Sequence, residues 1–441
     1  MTNGLIRRVL AQSLSTLCVA AVVARGQQDM SRMAMGAAMS VVELNASRLA
    51  SGTTWLPDSA VVPMLERRAS GWSLMAHGKG FGMFDRQWTL HGDTRATLLD
   101  WEMGSASHAV GAGIFRATAM TSLESLFMPD TGYPQLMQTG ETFHGRRVAN
   151  TQHPHDLIGE LSVAYDYPVM SALAFSVYGA AVGEPALGPV AYQHRPSDTD
   201  DPFAPLGHHW QDATHGSHGV ATIGIYDRWV KLEGSVFNAR EPDENRLDID
   251  YGGARLDSYS GRVTLAPTAN VVASAWAGYL NGHDPLAPGI AMQRYGASIL
   301  SDTRGLHGGR LSTSLIWGLN NHHHDERLHD HDAAVQPTHH LSSSVLLEST
   351  LGVGTRTQVF TRLEQTQPMA DDLAFLGGNL METFNVRAIS LGAAHQFTTV
   401  RAFGVGVGGR LTFNFLPETL RYTYTTTHPA GFALYMTIAP R

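Results

Sequence analysis

The sequence predicts an all-β protein, a single antiparallel transmembrane β-barrel of about 16 strands with short periplasmic turns and long extracellular loops. Three observations support this prediction. From Gly71 onward, polar and apolar residues alternate with period two, which is typical of strands with one polar and one apolar face. The connections between these segments alternate between short and long ones. After residue 26, no apolar run reaches about 18 residues, so no membrane-spanning helix is predicted.

The beginning of the chain predicts export. Residues 1–26 have the parts of a secretory signal peptide: two arginines, an apolar run over 9–24, and small residues before Gln27. The single cysteine, Cys18, lies in this segment, so the mature chain would lack disulfides, thiolate nucleophiles and Cys-ligated metals. A net charge of −8 at pH 7 argues against a nucleic-acid partner, which would require a basic surface.

Residues 27–69 are expected to form an irregular periplasmic arm, which contains four methionines between residues 30 and 39. Thioethers bind soft ions such as Cu(I), so metal capture is one interpretation of this arm. A flexible arm without a ligand is the other. Residues 51–57, Ser-Gly-Thr-Thr-Trp-Leu-Pro, are interpreted as a plug or as an anchor near the membrane surface. The barrel is expected over residues 70–441.

The alternation assigns each strand residue to a face. Over 156–167, for example, Leu161 and Val163 share one face, whereas Glu160 and Ser162 share the other. In a soluble sandwich the apolar face would pack on a second sheet, but in a membrane barrel it meets lipid and the polar face lines a wet lumen. The candidate pore-lining residues are therefore Glu160, Lys231, Glu233, Arg262, Glu348, Arg356, Arg362 and Glu364.

Strands are expected near 71–84, 94–103, 110–126, 156–167, 171–182, 216–226, 229–239, 256–266, 270–280, 291–301, 309–319, 340–351, 355–365, 384–396, 401–413 and 430–439. The connections at 168–170, 227–228, 267–269, 352–354 and 397–400 are short, and those at 127–155, 183–215, 240–255, 320–339, 366–383 and 414–429 are long. Such sorting of loops is typical of outer-membrane barrels, and a sandwich gives no reason for it.

Aromatic residues near strand ends predict girdles at the two membrane interfaces. The residues assigned to these girdles are Trp72, Trp88, Trp101, Trp229, Trp276 and Trp317.

Histidines are concentrated in the long loops. The candidate metal ligands are His153, His155 and Asp156 in the second long loop, His208, His209, Asp212 and His215 in the third, and His322, His323, His324, His329 and His331 in the sixth. Imidazole and carboxylate groups bind copper and zinc, the two metals considered for these loops. For the tract at 322–331, a polar loop with incidental histidines is the alternative.

The second and third long loops mix histidine with Pro, Trp, Gln and Gly, which favours fixed loop conformations. We expect His153, His155, His208, His209, Asp212 and His215 to converge near the pore mouth, where they would narrow the pore and set its selectivity. The alternative is that these loops only pack against each other through buried hydrogen bonds. The run 240–246, with three carboxylates between two arginines, indicates either a calcium site or a solvated turn with internal ion pairs.

The sequence contains few motifs that are typical of enzymes. It contains no Gly-x-Ser-x-Gly elbow, no phosphate-binding glycine loop and no His-Glu-x-x-His pair. We therefore expect no enzymatic activity. A Ser-His-Asp site assembled in space is the remaining alternative, because such sites are recognised by geometry and not by spacing.

Six segments in combination resemble a largely uncharacterised family of bacterial outer-membrane β-barrel proteins, over nearly the whole mature chain. These segments are 51–57, 136–141, 152–156, 207–215, 234–244 and 346–350. The resemblance implies an association with heavy-metal efflux, especially of copper. Residues 30–39 alone are also similar to copper-resistance outer-membrane proteins, in which a Met- and His-rich arm precedes a barrel. No binding residue is carried over from either family.

The sequence thus predicts an outer-membrane channel or porin-like protein for small polar or ionic solutes, with histidine-rich loops that bind or gate transition-metal ions. Two alternatives are a non-conducting metal-binding or sequestration protein and an outer-membrane enzyme. The expected partners are outer-membrane lipid and small solutes or metal ions, and the sequence does not indicate an oligomeric state.

Overall fold

A computed structural model describes residues 39–129, 131–212, 216–249, 255–283, 290–305, 309–324, 338–373 and 382–441. Within these ranges, one antiparallel sheet contains 17 strands. All of them except the first form a closed barrel, because β2 pairs with β3 on one side and with the last strand, β21, on the other. The predicted all-β fold and the count of 16 barrel strands are confirmed. Among the described residues, no helix is long and apolar enough to cross a membrane.

The barrel strands follow one another around the wall in chain order. They are β2 (Trp72–Trp88), β3 (Thr94–Val110), β4 (Gly113–Thr121), β9 (Ile158–Met170), β10 (Leu173–Gly183), β11 (Ser217–Tyr226), β12 (Val230–Phe237), β13 (Ser258–Thr268), β14 (Val271–Asn281), β15 (Ala291–Arg304), β16 (Arg310–His324), β17 (Thr338–Val353), β18 (Thr357–Thr366), β19 (Val386–Val400), β20 (Phe403–Phe415) and β21 (Ala430–Pro440).

The other elements are short. They are β1 (Leu65–Ala69), which pairs with β2; the hairpins of β5 (Tyr133–Pro134) with β8 (Thr151–Gln152) and of β6 (Glu141–Phe143) with β7 (Arg146–Val148); the α-helices α1 (Val41–Arg48), α2 (Glu124–Phe127), α3 (His208–Gln211) and α4 (Arg421–Tyr424); and the 3₁₀ turns Tyr192–His194 and Glu418–Leu420.

Apolar side chains form the outer surface of the barrel. On β9, Leu161 and Val163 are 45% and 52% exposed, whereas the intervening Glu160, Ser162 and Asp166 are buried inside. The same alternation continues around the wall, because one face of each strand meets lipid and the other faces the lumen. The protein is an outer-membrane protein, as predicted.

The connections are sorted by length as the sequence predicts. One rim carries turns of a few residues, such as 171–172 and 401–402, and the other carries the long loops. We number the loops of the long rim from L1; the ones used below are L2 (122–157), L3 (184–216), L4 (238–257) and L5 (282–290). The short turns mark the periplasmic rim.

Several boundaries differ from the prediction. The strand expected over 110–126 ends at Thr121, because the carboxylate of Asp100 accepts the backbone N–H of Leu123 and the chain turns into α2. β16 and β17 instead extend further than expected, to His324 and from Thr338, because their ladder continues through the pair His322 and His340. The sixth loop is therefore shorter than predicted.

Two tryptophans assigned to the interfacial girdles face the lumen. Trp276 is only 4% exposed and packs in an interior apolar cluster, and Trp101 contacts the ring of His194 at a centroid distance of 4.6 Å. Trp229 and Trp317, which are 51% and 41% exposed, do lie on the outer surface. Aromatic residues are common in interiors as well as at interfaces, so their positions near strand ends did not fix their side.

The part of the chain before the barrel lies inside it. We call residues 39–64 the N-terminal segment. It begins with α1, whose N-cap Ser40 accepts the backbone N–H of Glu43 while the Glu43 carboxylate accepts the N–H of Ser40. Where the arm at 27–69 was expected to be irregular, its described part thus contains a capped helix and the strand β1. The expected signal peptide and the first methionines lie outside the described residues.

Candidate functional site

The lumen wall carries many charged side chains. Seven of the eight predicted pore-lining residues point inward and are buried: Glu160, Lys231, Glu233, Arg262, Glu348, Arg362 and Glu364. Arg356 does not line the lumen, because β18 begins one residue later and Arg356 lies exposed in the turn 354–356. The even-numbered residues of β18 point inward, so Arg356 would also point inward if the strand began one residue earlier.

The N-terminal segment occupies the periplasmic end of the lumen. Lys231 donates to the carbonyl oxygen of Thr53 at 2.7 Å, and Arg262 donates to its hydroxyl at 2.7 Å. Both cations also contact the carboxylate of Glu233, at 3.1 and 2.9 Å. Arg48 donates to the carbonyl oxygen of Arg228 in the turn between β11 and β12. Predicted pore-lining charges therefore hold this segment in place.

Trp55 is the apolar anchor of the segment. Its side chain is 2% exposed and meets the ring of Tyr226 edge-on, with centroids 6.3 Å apart. Its indole N–H donates to Asn45 at 2.7 Å, and Asn45 in turn donates to Asp166 of the wall at 3.0 Å. The guanidinium of Arg48 lies 4.8 Å from the centre of the Trp55 ring.

L3 folds into the lumen above the N-terminal segment. Arg195, which is fully buried, forms a two-pronged ion pair with Glu348 of β17, with N···O distances of 2.6 and 3.2 Å. Asp198 of L3 binds the guanidinium of Arg362, and Asp201 lies 3.4 Å from Arg410. These pairs join L3 to three wall strands, so the lumen is occupied at two levels.

Between the loops at the extracellular mouth lies a cavity of about 100 Å³, which we call the histidine cavity. Five predicted metal ligands line it: His153, His155, Asp156, His208 and His209. Its other lining residues include Gln152, Glu160, Glu184, His194, Arg240, Glu241, Arg246 and His283. The structure thus brings together ligands from L2 and L3 that are separated by more than 50 positions in the chain.

His155 is fixed by hydrogen bonds at both ring nitrogens. Its Nδ1 lies 2.8 Å from Glu124 of α2, and its Nε2 lies 3.2 Å from the Tyr192 hydroxyl and 3.1 Å from the Gln193 amide. Burial alone would lower the pKa of His155, but the Glu124 carboxylate with its hydrogen bond, together with the nearby Asp156 and Asp100, outweighs burial, so the pKa is raised overall.

The chain from Glu124 through His155 to Tyr192 has the order of a carboxylate, a histidine and a hydroxyl. Burial, with smaller contributions from nearby carboxylates, raises the pKa of Tyr192 well above its usual value. The phenol therefore stays protonated, which suits a hydrogen-bond donor and opposes a role as nucleophile.

Glu241 of L4 lies between two imidazoles. Its carboxylate is 3.5 Å from Nε2 of His283 and 4.0 Å from Nδ1 of His209. Nδ1 of His283 is 2.7 Å from the carbonyl oxygen of Ala239, which orients the other ring nitrogen toward Glu241. Over the described parts of the chain, however, no three His, Cys, Asp or Glu side chains form a ready-made metal-binding group.

Two further predicted ligands, Asp212 and His322, do not line the cavity. Asp212 is buried and lies 3.6 Å from Arg195 and 3.7 Å from His208. The rings of His322 and His340 face each other across β16 and β17 at 6.5 Å. His323 and His324 are strand residues at the top of β16. His215, His329 and His331 lie outside the described residues.

Sequence reasoning missed His194, His283 and Glu184 as cavity residues. Glu184 follows β10 directly, and the inward positions of that strand are the even-numbered residues from 174 to 182. If this alternation is continued to residue 184, it predicts that Glu184 also points inward. No local signal in the sequence distinguishes His194 or His283 from the other loop histidines.

No protein-family model matches this sequence, and no curated protein sequence is significantly similar to it. Among solved structures, the fold is similar to OmpF of Salmonella typhi in complex with daunomycin, with 13% identity and a TM-score of 0.52 over 85% of this chain and 100% of that chain. It is also similar to an anion-selective porin from Comamonas acidovorans, with 11% identity and a TM-score of 0.51 over 83% of this chain and 99% of that chain. The chain therefore has the fold of bacterial outer-membrane porins.

Proposed function

We propose that this protein is an outer-membrane channel for small polar or ionic solutes, and that two inserted segments close its lumen in the present conformation. The observation that carries this proposal is the ring of inward-facing charged side chains on β12, β13, β17 and β18. A barrel of this size leaves an aqueous path unless segments of chain fill it.

The contacts that hold both segments favour a closure that can be reversed. Arg262 connects them, because it donates to Thr53 of the N-terminal segment and to the carbonyl oxygen of Gly188 in L3 at 3.2 Å. When such polar contacts open, water replaces them, so the net free-energy cost of each is small compared with its strength in isolation.

The finer proposal is that the histidine cavity binds a transition-metal ion such as copper or zinc. Glu241, His209 and His283 support it, because two ligands that share one ion at about 2.0–2.1 Å lie roughly 3–4 Å apart. A non-conducting metal-binding protein is the second candidate function, and it rests on the same three residues. The link to copper efflux rests on the family resemblance alone.

Conductance in planar lipid bilayers tests the channel. We expect rare openings for the wild type and more frequent openings for Arg262→Gln, which loosens both segments. Arg387→Gln, on the exposed outer side of β19, is the control and should behave as the wild type. If neither wild type nor Arg262→Gln conducts while both barrels are folded, the channel proposal is wrong.

Calorimetric titration with Cu²⁺ and Zn²⁺ tests the metal site. Binding that is lost in His283→Ala supports it. Metal binding without conductance in any variant would favour the sequestration function.

A further inference from the structure

The floor of the histidine cavity carries two carboxylates, those of Glu160 and Glu184, that form no direct ion pair with a Lys or Arg of the described residues. In the lumen, Arg195, Arg362 and Arg410 are each ion-paired. Within the described ranges, by contrast, no Lys or Arg nitrogen lies within 4.0 Å of the carboxylate of Glu160 or Glu184. Both residues line the cavity.

The two carboxylates instead accept hydrogen bonds from neutral groups. One oxygen of Glu160 accepts from the hydroxyl of Ser162 at 2.6 Å and from that of Tyr178 at 3.0 Å. Burial, followed by repulsion from Glu160, raises the pKa of Glu184 to about 8, although a hydrogen bond with Ser51 and the more distant positive charge of Arg262 lower it. Two carboxylates that repel each other in this way lower their energy by sharing a proton or by binding a cation.

A third acceptor faces the same space. Gln152 is 1% exposed, and its side-chain carbonyl oxygen has no hydrogen-bond donor in the structure. Gln152 lines the cavity together with the two glutamates. A buried acceptor without a donor is costly, so an unpaired amide oxygen that lines the same cavity as two carboxylates points to a missing positive ligand.

We propose that Glu160, Glu184 and the amide oxygen of Gln152 bind a hard cation at the floor of the histidine cavity. Carboxylate and amide oxygens are the ligands that Mn²⁺, Mg²⁺ and Ca²⁺ prefer. The cavity volume of about 100 Å³ exceeds the roughly 10–15 Å³ that one bound water requires, so an ion with part of its hydration shell fits.

This inference rests on the proposed channel and names cations as the solutes that enter its mouth. Below the site, the N-terminal segment blocks the way, because a Cβ atom at Gly52 would lie 2.8 Å from Cβ of Glu184. A cation that enters from outside would therefore stop at the two carboxylates until that segment moves.

Other charged and titratable groups also face the cavity and contribute to the pH dependence. They are His153, His155 and Asp156 from L2, His194, His208 and His209 from L3, Arg240, Glu241 and Arg246 from L4, and His283 from L5. Protonation of the imidazoles adds positive charge at low pH, which opposes cation binding in the same direction as protonation of Glu184. Binding should therefore strengthen as pH rises through about 8.

Mn²⁺ binding to the detergent-purified full-length protein, followed by electron paramagnetic resonance, tests the site. We expect one Mn²⁺ per chain, weakened at least tenfold in Glu160→Gln/Glu184→Gln, with a proton released to solvent on binding at pH 7.5. Glu418→Gln, an exposed glutamate that is ion-paired with Arg421 at the surface, is the matched control and should bind as the wild type.

Two further variants, both at Gln152, separate this site from misfolding. Gln152→Glu adds a third carboxylate and should tighten Mn²⁺ binding, whereas Gln152→Leu removes the amide oxygen and should weaken it. Mn²⁺ binding that is absent from the wild type, or equal in the double variant, overturns the inference. Because this binding is measured without conduction, a conducting protein that ignores Mn²⁺ refutes only the cation site, and a non-conducting protein that binds it refutes only the channel.

Discussion

Trp55 provides the sharpest test of how the N-terminal segment is held. Replacing it with alanine removes a side chain that is 2% exposed, together with its edge-on contact to Tyr226 and its hydrogen bond to Asn45. Truncation of a buried tryptophan costs about 3–5 kcal/mol. Trp55 anchors the N-terminal segment and is not part of the barrel wall. We therefore expect its loss to lower the free energy of docking of the segment, while the barrel stays intact.

At about 1.4 kcal/mol for each factor of ten, the ratio of docked to undocked segment should fall by roughly a hundredfold to a few thousandfold. A cysteine at Leu56, which is 5% exposed, reports this ratio through its rate of labelling by a maleimide. When the segment redocks faster than it is labelled, the rate follows the undocked fraction. Labelling of Leu56→Cys should therefore accelerate by a similar factor when Trp55→Ala is added.

Trp317→Ala is the control, because that tryptophan is 41% exposed on the outer surface of the wall strand β16. It should leave the labelling rate unchanged. Equal labelling with and without Trp55→Ala, in barrels that still resist SDS before heating, would refute the assignment of Trp55 as the anchor.

Three further predictions concern L3, the N-terminal segment and L2. Arg195→Met leaves Glu348 buried with only the more distant Arg362 at 3.8 Å as a cation, and should destabilise the barrel by up to about 3–5 kcal/mol. We expect a lower unfolding temperature in SDS gels, partly restored by adding Glu348→Gln. Gly52→Ala should undock the N-terminal segment by about 1–3 kcal/mol in the same labelling assay, because φ is +53° at that residue and its Cβ would collide with L3. The pKa of His155 is raised in the folded state, so its ion pair with Glu124 stabilises the folded loop fully below pH 6.5. This stabilisation is lost as pH rises through the folded pKa. Relative to the wild type, Glu124→Gln should therefore accelerate hydrogen exchange in L2 more at pH 5.5 than at pH 8.5.

The barrel wall was predictable because lipid and lumen impose opposite demands on successive residues. The alternation of Glu160, Ser162 and Asp166 with Leu161 and Val163 is visible in the sequence without any tertiary contact. The strand count followed from repeating this pattern. The exact ends of the strands were less predictable. The end of β4 at Thr121, for example, depends on the hydrogen bond from the backbone N–H of Leu123 to Asp100 of another strand.

The interior was less predictable because its contacts join distant parts of the chain. Asn45 and Asp166 are 121 positions apart, and Arg48 and Arg228 are 180 apart. The N-terminal segment has no long periodic stretch, so sequence reasoning could not decide between a plug and a surface anchor for its residues 51–57. Four of the histidines that were expected to converge, His153, His155, His208 and His209, line one cavity, but the partners Glu124 and Glu241 could be named only from the folded loops.

The short strand β1 has a consequence for how the barrel closes. It pairs with residues 72–76 of β2, and the last strand, β21, pairs with residues 80–88 of the same edge. β1 thus acts as a stop at the seam, because β21 cannot slide toward the periplasm along an edge that is already paired. Since strand number and the offset between first and last strand together set the tilt and girth of a barrel, a hairpin of five residue pairs contributes to holding the diameter of the whole lumen.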